Sequence, residues 1–104
     1  MFARKKRRQD RRIVVRDERG NVLLSADESD YVIPEAGVLR LSMEFFNDPE
    51  PCEIHRAAVR SRSLQHLREC CSVGETVPLS ALDPLLRAVF PENAASVQIL
   101  EDAL

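Results

Sequence analysis

The chain has 104 residues, 44% of them apolar and 31% charged, with a formal net charge of −2. That length holds one domain of the usual ~100–200 residues and excludes a two-domain enzyme, while the composition is too apolar for a wholly disordered protein. No apolar run approaches the roughly 18 residues of a membrane span, the longest being Ile13–Val15 and Val22–Leu24.

The basic start is not followed by the apolar segment and small-residue cleavage site of a signal peptide. The three cysteines are an odd number, and two of them, Cys70 and Cys71, are adjacent, which argues against a secreted disulfide framework. A cytoplasmic protein without membrane contact is expected.

Charge is segregated along the chain. Residues 1–12 carry Arg4, Lys5, Lys6, Arg7, Arg8, Arg11 and Arg12 against Asp10, a charge of +6, which leaves −8 on the other 92 residues of a chain totalling −2. This stretch is expected to be a disordered basic arm, with a single globular domain over 13–104. Residues 27–53 hold eight acids against Arg40, and 54–71 hold Arg56, Arg60, Arg62 and Arg68 against Glu69. An arm of this kind suits a phosphate backbone, where each neutralised phosphate releases counterions. The body, at −8, repels a polyanion, and Phe2 is the arm's one aromatic, so the arm has no base-stacking platform.

In chain order, Ile13–Arg16 and Val22–Ser25 flank Gly20 and Asn21 and predict a β-hairpin. Tyr31–Ile33 predicts a further strand. Val38–Phe46 alternates Leu39, Leu41, Met43 and Phe45 with Arg40, Ser42 and Glu44 and predicts another. Asp48-Pro49 then opens a helix running to Cys71, with Asp48 as its cap; the competing reading places a strand over 52–60 and starts the helix near Ser61 or Ser63. Asp83-Pro84 repeats the cap-plus-proline start for a short helix with Leu85, Leu86, Val89 and Phe90 as its apolar stripe, and Val97 and Ile99 predict a closing edge strand. The expected fold is α+β: a small antiparallel sheet with one longer and one shorter helix packed on one face, preceded by the arm.

Every Cys and His falls between positions 52 and 71, and four of them read Cys52-x2-His55-x10-His66-x3-Cys70. Tetrahedral Zn²⁺ takes such S and N ligands in closely spaced pairs, which makes zinc the cofactor candidate and these four its candidate ligands. At 100° per residue all four share one helix face, yet His55 and His66 would stand about 16 Å apart along the axis. A single helix therefore offers two half-sites. The alternative is that the four serve ordinary packing and surface roles. His66 and Cys70 are also at the i,i+4 spacing of a thiolate–imidazolium pair, but the last turn of a helix opposes thiolate formation.

The sequence contains no glycine-rich phosphate loop, no Gly-x-Ser-x-Gly and no Ca²⁺ loop. No catalytic residues are expected. The reading that follows is a small non-enzymatic interaction or regulatory domain acting through protein–protein contacts, with a homodimer among its partners. Its alternatives are nucleic-acid binding through the arm and a zinc-stabilised domain.

Overall fold

The computed structural model describes residues 11–101. Of the basic segment, Arg4, Lys5, Lys6, Arg7 and Arg8 lie outside that range. Arg11 and Arg12 lie inside it, and both are strand residues: β1 spans Arg11–Arg16 and pairs antiparallel with β2, Val22–Asp27. The turn between them is set by Asp17, whose carboxylate accepts the backbone N–H groups of Arg19 and Asn21 at 2.9 Å each, and by Gly20 at φ 85°. A residue with a side chain is strained at that φ.

The four-stranded antiparallel sheet has the order β2-β1-β4-β3, with β3 at Thr76–Pro78 and β4 at Ser96–Glu101. The closing strand is therefore interior, not an edge. Three-residue β3, too short to show a periodicity and ending in a proline that cannot donate to a ladder, takes the edge instead. Ile13 and Val15 of β1 face Ile99 and Val97 across the β1–β4 register, and all four are at most 1% exposed.

The predicted strand over 38–46 is a helix, α1, spanning Glu35–Phe46. Its buried positions, Gly37, Val38, Leu41 and Ser42, follow helical and not alternating spacing, and Leu39 and Met43 are exposed. The segment satisfies both periods, and its ends decide between them: Pro34 and Glu35 open a helix, while Asn47, left-handed at φ 54°, closes it by donating its N–H to Met43. Gly37 makes the packing possible, since a Cβ there would lie 1.9 Å from the Ala88 carbonyl oxygen.

Nor is Tyr31–Ile33 a strand. It follows a 3₁₀ turn at Glu28–Asp30, and Tyr31 enters the core, 1% exposed, donating its hydroxyl to the Val89 carbonyl at 2.8 Å and meeting Phe90 edge-on. Burial pushes its phenol well above the usual tyrosine range.

The long helix α2 covers Glu53–Cys70, so 53–60 is helix and not strand. It starts later than Asp48-Pro49 suggested. Cys52 stands at the cap position, and the Asp48 carboxylate instead accepts the Glu50 N–H at 3.0 Å and meets His55 Nδ1 at 2.8 Å. The short helix α3, Pro84–Arg87, is capped as expected by Asp83, which accepts the Leu86 N–H at 2.8 Å. One core joins the inner sheet residues to Leu41 of α1, Val59, Leu64 and Leu67 of α2, and Leu86 of α3.

The opposite sheet face carries Arg12, Val14 and Arg16. Val14 is nevertheless only 5% exposed. Arg12 reaches Ser25 at 3.2 Å and Asp27 at 3.1 Å, and Arg16 reaches Gln98 at 2.9 Å, so the arginine stems lie to either side of it.

Candidate functional site

The acidic and basic segments that the sequence separates meet one another in the fold. Arg68 of α2 donates to both carboxylate oxygens of Glu28, which is buried, and Arg60 donates to the Tyr31 carbonyl at 3.0 Å. Arg56 forms a two-pronged pair with Glu35 at 2.8 and 2.9 Å. These contacts pin the 28–35 segment onto α2. Two of the eight acids of 27–53, Glu28 and Glu35, are thus paired with arginines of α2.

Arg62 is the α2 arginine left out of this arrangement. Its guanidinium carbon lies 5.5 Å from the Phe45 ring centroid and 5.3 Å from that of Phe46, and among the described residues it meets no carboxylate. Phe46 in turn stacks on His55, with centroids 4.3 Å apart and planes 4° from parallel.

Beside Arg62 runs an open groove of about 300 Å³, walled by Leu41 and Phe45 of α1, Arg62, Ser63 and His66 of α2, and Asp83, Leu85 and Leu86 at the head of α3. The wall is mostly apolar. Ser63 is 3% exposed, and its hydroxyl has no hydrogen-bond partner among the described residues; Ser42 on α1, outside the groove, shares that condition. A second hollow of about 620 Å³, between α1 and the segment before β4, has a mixed charged lining of Arg40 and Arg87 with Glu18 and Glu92.

His66 occupies the rim of the groove. Its Nε2 lies 2.9 Å from Asp83 and 3.8 Å from Cys70 Sγ, and its Nδ1 lies 3.6 Å from Glu69. The hydrogen bond to Asp83, more than the weaker contact with Glu69, raises the His66 pKa above its ordinary value. Asp83 is held low in the carboxylate range by the Leu86 N–H and by His66. One oxygen of Asp83 thus caps α3 while the other holds the imidazole.

The four candidate zinc ligands divide as a continuous helix requires. Cys52 and His55 lie at the N-terminal end of α2 and His66 and Cys70 at the other, with no break in the helix to bring them together. Among the described residues no group of three or more His, Cys, Asp or Glu is placed to hold a metal ion, and of the four candidates only His66 and Cys70 are in contact, at 3.8 Å. All three cysteines are free. Of the candidate nucleic-acid residues, Arg11 pairs with Glu101 at 3.4 Å and Arg12 with Asp27 at 3.1 Å, so both are engaged within the sheet.

The groove and the His66–Asp83 contact have no local signature in the sequence. Asp83 was legible only as a cap; its second role depends on a partner 17 residues away on another helix. Compared with protein-family models, with curated proteins and with solved structures, the chain matches none.

Proposed function

We propose that the chain is a small, non-enzymatic interaction domain that acts through protein–protein contacts, and that the groove between α1, α2 and α3 is where the partner docks. The observation that carries this reading is the groove itself: an open, largely apolar hollow whose rim arginine, Arg62, has no carboxylate of its own among the described residues. Apolar hollows with a few polar groups at the rim are where proteins bind other molecules. Among the described residues no helix is long and apolar enough to cross a membrane. Three unpaired thiols suit the reducing cytoplasm, which is the location we propose.

Nucleic-acid binding is the second reading. It is favoured by the basic segment, with Arg4, Lys5, Lys6, Arg7 and Arg8, that leads straight into β1. Native mass spectrometry of the freshly purified full chain separates these readings. The expected spectrum shows the chain or a simple multiple of it, free of metal and oligonucleotide. Co-purifying nucleic acid that is lost on deleting residues 1–10, which leaves β1 whole, would replace the first reading with the second. One zinc ion per chain would move the function to Cys52, His55, His66 and Cys70.

A further inference from the structure

Taking the groove as a protein-docking surface, we infer that it receives a short partner segment in which an apolar residue lies close to an aspartate or glutamate. The apolar side chain sits between Leu41, Phe45, Leu85 and Leu86, and its carboxylate neighbour meets the Arg62 guanidinium.

Arg56, Arg60 and Arg68 of α2 each hold a partner inside the fold, Glu35, the Tyr31 carbonyl and Glu28 respectively. Arg62 holds none among the described residues; its guanidinium lies within cation–π distance of Phe45 and Phe46, at the edge of the hollow. A guanidinium presents a planar fork of donors whose best match is a carboxylate, and a cation–π contact uses none of those donors in a hydrogen bond.

The acids near the groove do not compensate it. Asp83 already accepts from the Leu86 N–H and from His66, and Glu69 lies by His66 outside the groove wall. A basic partner would thus find its nearest carboxylate neutralised and would face Arg62 directly. The volume of about 300 Å³ stands at the lower end of ligand-sized cavities, roughly 300–1,000 Å³, and suits a side chain or two better than a folded surface.

The test selects a random twelve-residue peptide library, displayed on phage, against the immobilised full chain, and measures selected peptides by fluorescence anisotropy. The expected peptides carry Leu, Ile, Phe or Met within four positions of Asp or Glu, and changing that acid to its amide weakens binding about tenfold or more. Arg62→Glu abolishes binding of the acidic peptide and restores it for the lysine version. Amide chemical shifts of the unaltered protein report the location independently of any variant, with Ser63, His66 and Leu85 expected to move.

Peptides that shift those amides but lack the acid, or that ignore Arg62→Glu, overturn the acidic partner and leave the docking groove standing. Peptides that leave those amides unmoved, or no enrichment at all, overturn both.

Discussion

His66 of α2 and Asp83 at the head of α3 are joined at 2.9 Å, and the carboxylate that makes this contact also caps α3 through the Leu86 N–H at 2.8 Å. Two helices that form one wall of the groove are thereby tied through one side chain.

The tie has a pH signature. His66 is raised above its ordinary 6.5 by Asp83, so its contribution to stability is complete below the unfolded value and is lost as pH rises through the higher folded value. Asp83 is lowered from 3.8, so its contribution is present above that value and is lost as pH falls through the folded one. Melting temperature is expected to be higher near pH 5.5 than near pH 8, and this difference should shrink in Asp83→Asn. An equal difference in the variant would show that His66 gains nothing from Asp83. Asp83→Ala should also cost about 0.5–2 kcal/mol through the lost cap.

Gly37→Ala inverts the usual sign. In an ordinary helix interior the change stabilises by about 0.5–1 kcal/mol. Here the new Cβ would meet the Ala88 carbonyl oxygen at 1.9 Å, and backbone cannot swing aside as a flexible side chain would. Destabilisation of about 1–3 kcal/mol or more is expected, read as a lower urea midpoint at unchanged slope.

Leu39 and Leu41 distinguish the helix from the strand directly. On a strand they would share a face; on α1, Leu41 is 1% exposed and Leu39 is 38% exposed. Leu41→Ala should cost about 2–5 kcal/mol in chemical denaturation and Leu39→Ala about 0.5 kcal/mol or less. Equal losses would remove α1.

Tyr31→Phe keeps the ring against Phe90 and deletes only the hydroxyl that reaches Val89. The stranded buried carbonyl should cost about 1–3 kcal/mol by urea denaturation. A variant as stable as the parent would mean that the carbonyl finds another donor.

The sequence made the β1–β2 hairpin, the α3 cap and most of α2 legible because each is encoded locally, in a turn glycine, an Asp-Pro step or a run of helix formers. Val38–Phe46 misled because its apolar residues fit two periods at once, and the signals that separate them, Pro34 and Glu35 before it and the left-handed Asn47 after it, lie outside the alternating run. The site was less legible still. Arg62 reads as one of four arginines until the other three are seen to be occupied, and His66 reads as half a metal pair until Asp83 arrives beside it. Chain-distant partners leave no spacing to read.

The position of β4 bears on how the molecule comes to exist. β1 is the first strand of the described chain, and the neighbour that it meets residue for residue, Ile13 to Ile99 and Val15 to Val97, is the last. Closing that pair fixes a loop of more than eighty residues, a large entropic cost met before the sheet rewards it, so folding should be slow for so small a protein. During synthesis, β1 and β2 can pair while the other edge of β1 stays open until residues 96–101 leave the ribosome. In that interval Ile13 and Val15 lie along an unprotected strand edge, and this is when the nascent chain is most prone to aggregate.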